Sequence, residues 1–265
     1  MITLYTHPMS PCAQKVRLVL AEKDLEWTGR HIDLPSKENL QPWYLELNPL
    51  GVVPTLVHEE RPVIESSIIC EYLEDKFPET KPLRPSDPHA IAVMRLWMKH
   101  VDNKLHPSCG TLQWPLAMLP GFMKLPEAER KKLLDQIPEK PRRERQKRLV
   151  EFGHDAPDVG DAVKTYRNTI AYMDEDLANK PWVAGEDFSL ADCSLAPYFQ
   201  TLLQYGWTDF YEAYPRVADW YARIRERDSY KTAVAADFSS DVMAKLNEQG
   251  KASLEKITAH WEAAA

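Results

Sequence analysis

The sequence predicts a small α/β domain followed by an all-α helical bundle. Three observations carry this reading. Strand-like alternation and helical spacing succeed one another in the order βαβ and then ββα near the start. Pro78, Pro82, Pro85 and Pro88 then interrupt the chain, a strong boundary signal. Beyond them only helical spacing recurs. The expected division is residues 1–78 for the first domain, 79–87 for a linker and 88–265 for the second.

Met1-Ile2-Thr3-Leu4-Tyr5 alternates as a strand, so no cleaved leader is expected. A turn from Thr6 to Pro11 leads into Ala13 to Lys23, where Val16, Val19 and Leu20 share a helical face. Glu26 to Leu34 is extended, a loop follows, and Val53 to Val57 and Pro62 to Ile64 form an antiparallel pair. Glu65 to Lys76 is helical through Ile68, Ile69, Tyr72 and Leu73. This order is the thioredoxin-like pattern, a sheet between helices. In the second domain Asp87-Pro88 starts a helix with a side-chain cap and proline at its first position. Val159, Val163, Tyr166, Ile170, Met173 and Leu177 line one face of a long amphipathic helix. Ser189 and Asp192 form a capping-box signal for a helix that contains Pro197. Pro215 opens another helix, and a last one runs from about Ser240. The stretch from Pro107 to Pro141, with six prolines, reads as irregular. The run Lys140 to Arg148, with six basic residues in nine, reads as a solvated surface helix, with steering of an anionic substrate as the sharper alternative.

The 265 residues suffice for two cores, and the 44 % hydrophobic content is ordinary for a globular protein. No run has the apolar length of a membrane span. A net charge of -7 opposes non-specific nucleic-acid binding. Cys12, Cys70, Cys109 and Cys193 have neither metal-ligand nor C-x-x-C spacing, so no metal site is expected and a reducing cytoplasm is. Cys70 and Cys193 fall in apolar helical patterns and read as packing residues; Cys12 stands in a strand-to-helix turn.

That turn has chemical consequences. A helix N-terminus stabilises negative charge through its free amides and dipole. A free thiol near a pKa of roughly 8.5 is only slightly ionised at neutral pH. Lowering it by about two pH units requires roughly 2.7 kcal/mol, within reach of a charge-assisted hydroxyl bond plus the dipole. Ser10 and Cys12 are the candidates.

Ser10-Pro11-Cys12-Ala13-Gln14-Lys15-Val16-Arg17 resembles the active-site turn of zeta-class and related glutathione transferases. The resemblance implies the glutathione transferase fold, glutathione as co-substrate, and Ser10 as thiolate stabiliser with Cys12 secondary. In omega-class relatives a nucleophilic cysteine takes that place. Asn48 to Pro54 resembles the family loop that ends in a cis-proline, which implies that the Val53 backbone ahead of Pro54 pairs with the cysteinyl unit. Glu65-Ser66 resembles the acidic-Ser pair that holds the γ-glutamyl group. Val52 departs from the pattern, having no polar group for the glycyl carboxylate, and leaves Lys37, Asn39 or Gln41 to hold it. Taken singly, Ser10 reads as a helix cap, Cys12 as a packing or redox residue, and Glu65-Ser66 as an ordinary helix start. Their common order makes coincidence a poor explanation.

Ile69 to Pro78, Leu83 to Pro88 and Met94 to Asp102 are similar to bacterial β-etherases that cleave lignin aryl ethers, whereas Met9-Ser10-x-Cys12 is closer to tetrachlorohydroquinone dehalogenases. The implied reaction is attack of glutathione thiolate on an aromatic electrophile, best a β-aryl ether, in a pocket drawn from Met9, Trp114, Phe122 and Tyr198. A dehalogenase or thiol oxidoreductase using Cys12, and a non-catalytic glutathione-binding protein, are the alternatives. The family resemblance also implies a homodimer.

Overall fold

The computed structural model describes residues 1–264. Strand β1 (Ile2–Thr6) turns Ile2 and Leu4 into the core. Helix α1 (Pro11–Glu22) follows it and supplies the crossover to β2 (Trp27–His31), which pairs parallel to β1. A short helix α2 (Pro42–Leu47) stands where the sequence predicts loop, with Pro42 in its first turn as an overlooked start signal. Strands β3 (Thr55–His58) and β4 (Arg61–Val63) complete a sheet of order β2-β1-β3-β4, with β3 antiparallel to both neighbours. β3 begins later than Val53 because Pro54 has no N–H to give the ladder. Helix α3 (Ser66–Lys76) packs on α1, burying Ile69, Cys70 and Leu73.

Helix α4 (Pro88–His100) is capped by Asp87, whose Oδ2 accepts from the Ala90 N–H at 2.8 Å. It runs through a π-helical turn (Val101–Leu105) into α5 (His106–Ala117). Then come α6 (Leu119–Phe122), α7 (Glu127–Asp135), α8 (Lys140–Phe152) and α9 (Asp158–Asp176). The chain continues through α10 (Leu190–Gln204), α11 (Asp209–Glu212), α12 (Pro215–Glu226), α13 (Asp228–Ala233) and α14 (Ser240–Ala263).

Two expectations are corrected here. The proline-broken stretch is helical, because Pro107, Pro120 and Pro141 occupy first turns and Pro126 is a cap position, where no N–H is needed. Only Pro115 lies inside a helix of that stretch. The basic run is not a freely solvated face: α8 is half-buried from Arg142 to Arg148, and Arg142 reaches toward the first domain.

Helix α1 is wedged between the sheet domain and α10. Near its end the buried Glu22 carboxylate accepts from Arg227 at 2.6 and 2.7 Å and from Lys81 at 2.6 Å. Burial alone would raise its pKa, but the bonds from Arg227, Lys81 and Ser229 hold it down to about 2. Cys70, Cys109 and Cys193 are buried packing residues whose thiols burial pushes up, Cys70 to about 12 and Cys109 to about 11. No described helix is long and apolar enough to cross a membrane.

Candidate active site

A cavity of about 380 Å³ opens between the sheet domain and α5 to α8. Its first wall is built by residues that flank β1 and β3. Ser10 is the N-cap of α1: its Oγ accepts from the Ala13 N–H at 3.3 Å, so its own proton remains to be donated. Ser10 and Met9 line the cavity, and Gln113 Nε2 of α5 donates to the Met9 carbonyl at 3.2 Å. Val53 lines it too, ahead of the ladder, and the Val53–Pro54 peptide is cis. The preceding loop is braced at the Val52 carbonyl, which accepts from Tyr44 Oη at 2.7 Å and Asn48 Nδ2 at 2.9 Å.

Glu65 precedes α3 with φ 67, a conformation that a non-glycine residue rarely holds without a role to maintain it. Its side chain is exposed and makes no capping bond, while Ser66 is buried at the first helical position. The α3 amides therefore keep their capacity for an anion.

Cys12 points to a different neighbourhood from Ser10. Its Sγ lies 3.4 Å from His106 Nδ1 and 3.8 Å from His106 Nε2. Burial would push the thiol up; the His106 charge, the His106 hydrogen bond, the Lys15 ammonium and the Ser66 hydroxyl outweigh it and bring it to about 7. The same pair raises His106 above its ordinary value, chiefly through the Cys12 charge. Lys15 is fully buried and donates to Ser67 Oγ at 2.9 Å and to Asp102 Oδ1 at 3.0 Å. Asp102 belongs to the π-helical turn, so this ion pair ties α1 to the turn that sets His106 against Cys12. Single π turns concentrate at functional sites, and this one delivers a cleft-lining histidine.

Sequence reasoning missed His106. Its only signal was the His106-Pro107 dipeptide, and nothing local tied it to a cysteine ninety-four positions away.

The opposite wall is apolar. Trp114 and Phe122 line it, with ring centroids 5.8 Å apart and an edge-on angle of 64°. Tyr198 is not among the lining residues. It is fully buried on α10, with its hydroxyl 3.8 Å from Cys12 Sγ, behind the thiol rather than in the cavity. Of the three groups considered for a carboxylate, Lys37 and Asn39 line the cavity and Gln41 does not. Arg142 of α8 lines it as well.

Comparison with known proteins agrees with this architecture. The glutathione S-transferase N-terminal domain model matches residues 4–81 and the glutathione S-transferase C-terminal domain model matches residues 135–223. Together they span more than half of the chain. The chain belongs to the glutathione S-transferase family, is an enzyme of that kind, and uses glutathione as co-substrate.

Among its relatives is Protein LigF of Sphingobium sp. (strain NBRC 103272 / SYK-6), 28 % identical over 255 residues, 94 % of this chain and 99 % of that one. The crystal structure of beta-etherase LigF from Sphingobium sp. strain SYK-6 superposes with a TM-score of 0.81 at 27 % identity, covering 89 % of this chain and 99 % of that one. Glutathione transferase F7 from Populus trichocarpa shares the fold, with a TM-score of 0.71 at 22 % identity over 90 % of this chain and 100 % of that one.

Proposed function

We propose that this transferase turns glutathione thiolate on an aromatic electrophile, with a lignin-type β-aryl ether as the substrate class. The carrying observation is one continuous cavity that has Ser10 and Val53 on one wall and Trp114 and Phe122 on the other. The similarity to a beta-etherase over almost the whole chain supports the ether.

In this reading Ser66 and the α3 N-terminus take the γ-glutamyl carboxylate, and Glu65 accepts from its ammonium. The Val53 backbone pairs with the cysteinyl unit. Ser10 donates its hydroxyl proton to the sulfur, and the α1 dipole adds to the effect. The thiolate forms a C–S bond while the C–O bond breaks, and the phenolate leaves with the electron pair. Positioning of two substrates in one cavity supplies much of the rate.

Incubation with glutathione and a fluorogenic β-aryl ether tests the proposal. Phenol and thioether should appear in equal amounts. Absence of phenol, together with halide release from a chlorinated hydroquinone, would move the assignment to a dehalogenase.

The Cys12–His106 pair favours a second reading, thiol–disulfide exchange. There the Cys12 thiolate attacks a glutathionyl disulfide, forms Cys12–S–S–glutathione and expels the other thiolate, and a second glutathione restores Cys12 with release of oxidised glutathione. Loss of disulfide reduction in Cys12→Ser with ether cleavage intact would separate the two activities.

The linker at 79–87 and a cytoplasmic homodimer belong to the same proposal. Ile68 on α3 and Leu96 on α4, 59 % and 66 % exposed, support a second copy against that side. Sedimentation of the purified protein reads the oligomeric state directly.

A further inference from the structure

One end of the cavity holds positive charge that no carboxylate balances. Lys37, from the loop after β2, and Arg142, from the first turn of α8, both line it. Neither belongs to an ion pair among the described residues, although most basic side chains around them on α8 do: Arg143, Lys147 and Arg148 are paired with Glu144, Asp135 and Asp158. Arg142 donates only to the Leu50 carbonyl, at 3.4 Å, and Lys37 stands 5.6 Å from the centre of the Phe122 ring. Burial depresses the pKa of both, and the Arg142 charge depresses that of Lys37 further. Glu139 is exposed and bears on Arg142 only through its field. Lys37 holds φ 63, which a lysine does not adopt at random.

Two half-buried cations, facing one cavity from two domains and repelling each other, cost free energy until an anion sits between them. The polar groups beside them, Asn39 and Gln146, are neutral and add no charge.

We propose that Lys37 and Arg142 form an interdomain carboxylate clamp, a binding site that exists only where α8 meets the loop after β2. It makes good the polar group that Val52 lacks. A planar guanidinium grips a carboxylate in two bonds while the ammonium adds a point charge. Two sources could bring that carboxylate: the glycyl end of glutathione or an acid group on the second substrate.

Calorimetry and kinetics on Arg142→Gln and Lys37→Met decide between them. The ligands are glutathione and the dipeptide γ-glutamylcysteine, which lacks the glycyl unit. The second substrates are a neutral chloronitrobenzene and its carboxylate-bearing analogue, so the test stands whether or not the aryl ether is turned over. Weakening of glutathione by about tenfold or more, with dipeptide affinity kept within about twofold, assigns the clamp to the glycyl carboxylate. Unchanged glutathione affinity with a comparable rise in KM for the acid substrate alone assigns it to the second substrate. Arg142→Lys should recover part of either effect. Equal losses for every ligand, or no loss for any, would overturn the proposal, and an unchanged thermal midpoint in the variants separates a lost clamp from a lost fold.

Discussion

Among the helices of this protein that begin at a serine, those at Ser189, Ser10 and Ser66 differ in what the surrounding structure leaves undone. At Ser189 the capping box is closed: Asp192 accepts from the Ser189 N–H at 3.0 Å, the Ser189 Oγ at 3.1 Å, the Val183 N–H at 3.2 Å and Trp220 Nε1 at 2.8 Å. All of this is buried, and no capacity remains for a ligand. At Ser10 the hydroxyl makes one long capping bond and borders the cavity, and at Ser66 the helix start has no side-chain cap at all. A serine at a helix start, N-cap at Ser189 and Ser10 and first helical residue at Ser66, is saturated in the first case and not in the others. What separates them is saturation of hydrogen-bond partners, which is a tertiary property.

Breaking the saturated cap should have the largest effect. Asp192→Ala strips partners from three buried donors besides Ser189 Oγ and should cost about 3–5 kcal/mol of stability, read by denaturant unfolding. Activity per folded molecule should stay unchanged, and a selective loss of turnover instead would make that helix start functional too.

Ser66→Ala touches the open start of α3. Affinity for glutathione should fall by about 1–3 kcal/mol because a charged group loses a hydrogen bond. Unchanged calorimetric affinity would remove Ser66 from the binding site.

His106→Ala tests the Cys12 neighbourhood. Against its burial, the Cys12 thiol is brought down to about 7, first by the charge of His106. Loss of that cation raises the pH at which alkylation of Cys12 reaches half its maximum, and cuts thiolate at neutral pH by roughly tenfold. An unmoved alkylation midpoint would show that Lys15 and the α1 start suffice.

Ser10→Ala should produce the smallest change in stability, about 1 kcal/mol for a lost cap. Its second readout is more telling: the pH at which bound glutathione shows thiolate absorbance should rise. If it rises in Cys12→Ala and not in Ser10→Ala, the roles of the two residues are exchanged.

How legible these features were depends on the range of the interaction that makes them. Helix starts at Asp87, Ser189 and Pro215 are written within four residues, so periodicity and capping chemistry identify them. The prolines between Pro107 and Pro141, unlike Pro88 and Pro215, read from the sequence as breakers. Pro107, Pro120 and Pro141 fall in first turns, and only the completed helices reveal this.

By itself, then, the chain determined the βαβ–ββα order, the passage to helices after the proline cluster, and the local signatures around Ser10, Pro54 and Ser66. These follow from dihedral preferences and side-chain spacing, which act over a few residues. The tertiary structure alone decided that His106 meets Cys12 across a π turn held by the Lys15–Asp102 pair. It also withdrew Tyr198 from the cavity and carried Arg142 of a supposedly solvated helix into it. The reason is physical: such encounters join groups far apart in the chain, and only the packing of one domain on another brings them within reach.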